Sequence, residues 1–451
     1  MDWVFFLVRF LFAFILMNVA LVIVAFLVYF ERKVAAHMQA RIGPNRAGPV
    51  GLLQSFADLI KMIKKETTIP SGADKWVFFA APIVSTFTAL GALSVVPFGP
   101  AAGQPGYINL FGQKISWFIS DVSVGALVIL AVSSLGVYGL IMAGWSSNSK
   151  YSLLGGLRSS SQVISYEITM GISLVGVFLL SGSLSLLSIT TAQHPFLHTA
   201  GQPGLWFILL QPVAFMVFLT SAIAETNRTP FDLPEAESEL VGGYHTEYSG
   251  IRFGLFFLSE YIAMVTVSAL SSIAFLGGWT SPFAAFFDQR LAGGQLVAPT
   301  IDLPFISGAL GSGPHWLIFK MAVFIFVYYW LRWTLPRFRY DQLMGLCWKV
   351  FLPVILLNIM VIALFKLIFF EPGLNLSNGS EWGWWVLVVI ELAFGAAALY
   401  GFSSLAGLGW FGRAERPVLV EPGRELILVR TVQGGRGTIE GEARTVNVTR
   451  S

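Results

Sequence analysis

Cysteine and charge are both scarce in this 451-residue chain, and each scarcity closes off a class of chemistry. The one cysteine, Cys347, cannot form a disulfide within the chain, nor can it supply the four thiolates an iron–sulfur cluster usually takes. It stands in an apolar run and reads as a small core residue. Histidines are few and scattered (His37, His194, His198, His245, His315). His194 and His198 have the i, i+4 spacing, but Pro195 between them marks a loop-like run, so no metal site is expected. No redox centre or cofactor is expected on this chain. Charged residues make up 12% of it against 55% apolar and 14% aromatic, and the formal net charge of +3 is too small to imply a nucleic-acid partner. So apolar a chain reads as an integral membrane protein whose surroundings are the lipid bilayer.

What is present is a series of long apolar runs. The first covers residues 3 to 30, too long for the core of a secretory signal and without an evident cleavage site. Further spans fall near 76 to 97, 121 to 145, 162 to 187, 205 to 224, 254 to 277, 315 to 334, 346 to 370 and 382 to 410. The expected fold is therefore all-α, a polytopic membrane bundle of about nine transmembrane helices. A transmembrane domain at 1 to 412 would be followed by an Arg-rich tail at 413 to 451, with seven Arg, no Lys and a β-prone patch at Leu426 to Val429. Lys and Arg concentrate in alternate connections, with eight of them in residues 31 to 75. The positive-inside rule then puts the amino terminus outside and the tail in the cytoplasm of a bacterial plasma membrane.

Within residues 31 to 75, Leu52, Leu53, Phe56, Leu59, Ile60 and Ile63 recur every three or four positions, with Asp58, Lys61, Lys64 and Lys65 between them. That pattern describes a short amphipathic helix lying along the membrane surface or docked on a soluble partner. A second connection, Glu225 to Tyr248, concentrates acid: Glu225, Asp232, Glu235, Glu237, Glu239 and Glu247 stand against the nearby Arg228 and Arg252. A solvated loop is the plain reading of such a run. Here Phe231, Leu233, Leu240 and Val241 are interleaved with the acids, while Pro230 and Pro234 fix two φ angles, so the loop reads as folded inward and proton-active. Two more acids lie within spans, where an isolated charge is costly. Glu167 follows Tyr166 about five residues into the fourth span, and Glu260 lies about seven residues into the sixth, roughly 10 Å deep. Each is either a satisfied helix-end carboxylate or, with Glu225, part of a file descending into the bilayer. Glu391 in the ninth span reads as glue to a neighbouring helix or as a further functional acid.

Two blocks carry a family resemblance. ERKVAAHMQARIGPNRAGPVGLLQSFADLIK at 31 to 61 and AETNRTPFDLPEAESELVGGYHTEYSG at 224 to 250 resemble the signature stretches of one membrane subunit of proton-pumping NADH:quinone oxidoreductase, respiratory complex I, the one at the junction with the peripheral arm. SNSKYSLLGGLRSSSQVISYE at 147 to 167 and FFLSEY at 256 to 261 are similar to the same family, so the likeness covers roughly residues 10 to 370. The resemblance implies eight core helices and a tunnel by which a quinone substrate reaches its reduction site. Flavin mononucleotide and the iron–sulfur clusters would belong to partner subunits. Carried onto this sequence, Arg32, Arg41, Glu225, Arg228, Phe231, Asp232, Glu235, Glu237, Glu239 and Glu247 would border the quinone chamber. Tyr166, Glu167, Glu225 and Glu260 would form the proton path. Partners would be the peripheral quinone-site subunits and the antiporter-like membrane subunits. The ninth span and the tail exceed the eight-helix core.

Reducing a quinone to quinol consumes two electrons and two protons. On this reading the loop carboxylates sense the charge that develops and pass proton shifts to Glu225, Glu167 and Glu260 as a coupled set, with the arginines limiting repulsion among the acids. Two alternatives stand beside it: the equivalent subunit of a membrane-bound hydrogenase, and a stand-alone cation/proton transporter. A passive membrane anchor leaves the acids within the spans unexplained.

Overall fold

In a bilayer no water is available to bond backbone N–H and C=O groups, so each long apolar run must satisfy its own by winding into a helix. The computed structural model describes residues 3–100, 108–110, 113–195, 203–232, 242–287, 290–292, 295–297, 310–370, 382–407, 427–428 and 444–445. In order the elements are α1 (Trp3–Met38), α2 (Gln54–Lys64), α3 (Lys75–Ser94), the strands β1 (Ile108–Leu110) and β2 (Gln113–Ile115), α4 (Gly125–Ser146), α5 (Lys150–Ser181), α6 (Leu186–Ala192), α7 (Phe207–Leu210) and α8 (Pro212–Glu225). There follow α9 (Gly250–Phe275), α10 (Ala284–Phe287), β3 (Arg290–Ala292), β4 (Gln295–Val297), α11 (Pro314–Thr334), α12 (Tyr340–Leu346), a π-helical stretch Cys347–Phe351, α13 (Leu352–Phe370) and α14 (Trp382–Gly407). Among the described residues 8 helices are long and apolar enough to cross a membrane, the one at Tyr340–Phe370 running through α12, the π stretch and α13. The protein is a polytopic helical membrane bundle. Its strands are short antiparallel pairs in the connections, with Ile108 opposite Ile115 and Arg290 opposite Val297.

The chain divides into two compact units, Met1–Phe402 and Ser403–Ser451. In the second, Ile427–Leu428 pairs antiparallel with Arg444–Thr445, within the patch whose composition favours strand. In the first, α9 is the central helix. It packs on α1, α3, α6, α8 and α11, and all of Met264 to Phe275 is buried. Close crossings depend on missing side chains. A Cβ on Gly156 of α5 would stand 3.2 Å from the Cα of Gly144 on α4, and one on Gly155 would stand 2.5 Å from the Cα of Gly243. The second contact seats the far end of the acidic connection directly on α5.

Three departures from the sequence reading follow from how the helices are built. The first helix continues past residue 30 to Met38, so Glu31 and Arg32 belong to it and do not follow it. The fifth span is broken, because Gln211 leaves helical geometry (φ −143°, ψ 59°) and Pro212 has no N–H to continue the ladder. Gln211 is fully buried there, and neither its amide nitrogen nor its oxygen has a partner among the described residues. Glu167 and Glu260 stand deeper in their helices than expected, since α5 starts at Lys150 and α9 at Gly250.

Helix α2 buries none of its residues, and its Leu59, Ile60 and Ile63 are exposed. It is held against α1 by Arg32 paired with Asp58 and by Phe26 edge-on to Phe56 at 5.9 Å, and its Met62 end packs on the start of α9 at Gly250 and Gly254. The last helix, α14, is tied to α13 by Trp384 stacked on Phe370 (4.2 Å) and by Asn358, whose Nδ2 donates to both oxygens of Glu391 at 2.9 and 2.7 Å. Glu391 and Asn358 are both wholly buried, and Asn358 Oδ1 has no hydrogen-bond partner among the described residues. Glu391 is therefore the fastener between two helices. Glu391→Leu should destabilise the protein by about 1–3 kcal/mol, because it strands the amide, while adding Asn358→Leu should recover most of that loss. Thermal unfolding of the two variants in detergent checks the order.

Candidate functional site

The acidic connection begins as a tight turn that α5 holds in place. Helix α8 ends at Glu225, Asn227 takes a left-handed φ of 49°, and Gln162 of α5 donates from one nitrogen to Ala224 O (2.8 Å) and Phe231 O (2.7 Å). Phe231 then packs between Tyr166 (5.7 Å between centroids) and Phe338 (stacked, 5.5 Å), and Phe338 N–H donates to Pro230 O at 3.1 Å. Asp232 is 2% exposed and faces Arg337 at 3.3 Å. Tyr166 closes the other side by donating to Leu343 O at 2.9 Å. The described start of this connection is thus turned inward between α5 and the approach to α12. Glu235, Glu237 and Glu239 lie outside the described residues.

At the centre stands Arg228, 4% exposed. Its guanidinium lies 3.6 Å from Glu31 and 3.7 Å from Glu260, over the Tyr261 ring at 4.3 Å. Burial works against its charge, but Tyr261, Glu260 and Glu31 more than offset that and hold its pKa above the usual arginine value. Glu31 also pairs with Arg332 and accepts from the Tyr261 hydroxyl. Sequence reasoning missed Glu31 and Arg332. Glu31 directly follows the first apolar run, and ending the helix at residue 30 put it outside the membrane. The signal was a carboxylate bordering 28 residues with a single charge.

Two pockets flank this arginine. The inner one, about 100 Å³, lies among α3, α4, α5, α8 and α9 and is lined by Glu225, Asn227, Tyr244, Glu260 and the hydroxyls of Ser85, Ser133 and Ser259. Tyr244 donates to Glu260 at 3.3 Å, and Ser85 and Ser259 share a hydrogen bond at 2.9 Å. Glu225 Oε2 and Asn227 Oδ1 are buried without a hydrogen-bond partner among the described residues. Glu167 does not line this pocket, but its carboxylate is close enough to Glu225 to couple with it. Ser134 stands beside Glu167 and Ser133 beside Glu225. The outer pocket, about 580 Å³, is lined by Glu31, Arg32, Arg41, Tyr261 and Arg332 and by the bend at Gly43 and Pro44. Next to it an apolar groove of about 490 Å³ runs along α1 and α11, past Leu16, Ile23, Leu27, Phe30, Ile325 and Tyr329.

Arg32 and Arg41 border the outer pocket, Glu225 and Glu260 the inner one, and Arg228 reaches an acid of each. Glu247 is half-buried and lines neither. Its neighbour Tyr248 stacks on Phe78 at 4.0 Å, and burial pushes its hydroxyl up to about 12. Cys347 is buried, with its thiol 3.2 Å from Ser165 O.

The sequence model for NADH dehydrogenase matches residues 11–363. The chain belongs to the NADH dehydrogenase family. Relatives that all bear the name of one and the same NADH-quinone oxidoreductase subunit resemble it closely. The protein of Thermomicrobium roseum is 50% identical over 369 residues, covering 81% of this chain and 98% of the relative. That of Rhodospirillum centenum is 49% identical over 348 residues, covering 77% and 90%. A third, from Streptomyces avermitilis, is 42% identical over 421 residues and covers 92% of this chain and 83% of its own length.

Proposed function

We propose that this chain is the quinone-tunnel and proton-coupling subunit of NADH:quinone oxidoreductase. In this reading it works beside peripheral quinone-site subunits and antiporter-like membrane subunits, and the flavin and iron–sulfur clusters that deliver electrons belong to those partners. The acidic turn and the outer pocket face the cytoplasm. One observation carries the reading: a single buried guanidinium stands within ion-pair distance of an acid from each of two pockets.

A quinone is an amphipathic substrate, with a polar ring and a hydrocarbon tail. The outer pocket offers the ring Arg32, Arg41, Arg332 and the Tyr261 hydroxyl, and the adjoining groove along α1 offers the tail an apolar wall. Reduction develops negative charge on the ring oxygens, which these cations stabilise. Glu31 senses that change directly, being hydrogen-bonded to Tyr261 and paired with Arg332. The acids beyond Arg228, namely Glu260, Glu225 and Glu167, then take up or release protons as a coupled set, with the serine hydroxyls and cavity water as carriers. The names of the relatives favour the quinone enzyme over its hydrogenase counterpart.

The test is Glu167→Gln and Glu260→Gln in the assembled enzyme. Each should lower proton translocation coupled to quinone reduction by about tenfold or more, as loss of a positioned proton carrier does. Full turnover with full pumping stoichiometry in both variants would remove the relay.

A further inference from the structure

The distances around Arg228 describe a cation committed to neither of its acids. At 3.6 Å from Glu31 and 3.7 Å from Glu260 it lies within ion-pair range of both and beyond the 2.7–3.2 Å of an N–H···O bond. Two of its nitrogens, Nε and Nη2, are buried with no hydrogen-bond partner among the described residues, an unusual state for a buried guanidinium. The acids differ in what else they hold. Glu31 already accepts from Arg332 and from Tyr261, whereas Glu260 Oε1 accepts from Tyr244 and its Oε2 faces Arg228. The other ionisable groups near the guanidinium are Tyr261 of α9, Tyr328 and Tyr329 of α11, and Arg332 of α11, which pairs with the same Glu31 oxygen that Arg228 faces. The Tyr261 ring centre lies 4.3 Å from the guanidinium carbon, and the Tyr261 side chain also hydrogen-bonds it.

We propose that Arg228 is a shared charge between the two pockets, which closes to hydrogen-bond distance on Glu260 when Glu31 is neutralised, and on Glu31 when Glu260 is. The movement is less than an ångström at either acid. Its consequence rests on the quinone reading above: an event at Glu31 would reset the field on Glu260 and Glu225 without any proton crossing the arginine. The geometry does not rest on that reading. Arg228 is then a positioning residue, acting through the acids it serves.

The experiment is a high-resolution structure of the purified assembled enzyme carrying Glu31→Gln, a second carrying Glu260→Gln, and the proton-to-electron ratio of each. In Glu31→Gln, Nη2 should move to about 3 Å from Glu260 Oε2. In Glu260→Gln, where the Tyr244 hydroxyl can still bond the new amide, Nη1 should close on Glu31 by the same amount. A guanidinium that keeps its position in Glu260→Gln overturns the proposal, and this arm decides alone if Glu31→Gln does not assemble. Displacement in both variants with an unchanged proton-to-electron ratio would uphold the shared charge and refute its part in coupling.

Discussion

Arg228→Met should be among the most damaging single substitutions in this chain, cutting quinone-dependent turnover more than tenfold and lowering the melting temperature of the assembled enzyme. The side chain is 4% exposed, and Glu31 and Glu260 face it from α1 and α9. Removing the cation leaves carboxylates in a site with little water, and breaking a buried pair in this way typically costs about 3–5 kcal/mol. Glu31 keeps the cation Arg332 as well as Tyr261, while Glu260 keeps the Tyr244 hydroxyl. Adding Glu260→Gln to Arg228→Met should therefore recover more stability than adding Glu31→Gln. Thermal scans of the three enzymes at matched detergent and lipid check the order. Equal recovery by both second substitutions would show that Glu260 does not depend on Arg228.

Lys320→Met is expected to be nearly as costly, for a reason unconnected with the acids. The side chain is only 6% exposed, and its ammonium spends its three donors on Leu276 O, Gly278 O and Thr280 O at 2.5, 2.9 and 2.7 Å. It also lies over Trp206 at 4.5 Å. These carbonyls belong to the turn that follows α9, so Lys320 fixes the exit from the central helix of the bundle and sets its ammonium just beyond that helix's carboxyl end. Each charge-assisted bond is worth about 1.5–3 kcal/mol, and because such terms add incompletely a loss of about 4 kcal/mol is expected. Lys320→Arg should not rescue it, since a planar fork cannot meet three carbonyls arranged around a point. The measurement is the yield and thermal stability of assembled enzyme. A Lys320→Met protein as stable as the parent would mean that water replaces the ammonium at all three oxygens.

Much of this was readable from the sequence, for reasons that differ by residue. The spans follow from the need to satisfy backbone groups in hydrocarbon, and α2 follows from the spacing of Leu52 to Ile63. The inward turn of the acidic connection was signalled by Phe231 among the acids, and its ring does pack between Tyr166 and Phe338. Glu391 as a fastener was legible too, as one of two readings of an acid in an apolar helix. Pairings between distant elements were not legible. Glu31 joins Arg332 across 301 positions and Tyr261 across 230, and nothing local to any of the three announces it. Nor does composition show that Arg32 and Arg41 border one pocket and Glu225 another, since that division depends on which way each helix face is turned. Gln162 escaped for the same reason: as an uncharged amide in a serine-rich stretch it looks ordinary until its two carbonyl partners are seen.

The π-helical stretch Cys347–Phe351 has a consequence for the site as well. A π turn takes up one residue more than an α turn, so it shifts the angular phase of everything before it relative to everything after. Here the part before it includes Tyr340, which bonds Ser161 at 2.8 Å, and Leu343, which receives the Tyr166 hydroxyl. Rewinding residues 347 to 351 as a regular α-helix with every residue kept would twist α12 by about a quarter turn against α13. Tyr166 would lose its acceptor although no residue that touches it had been changed. Removing one residue from the stretch is the change that restores regular winding while leaving that phase nearly as it is.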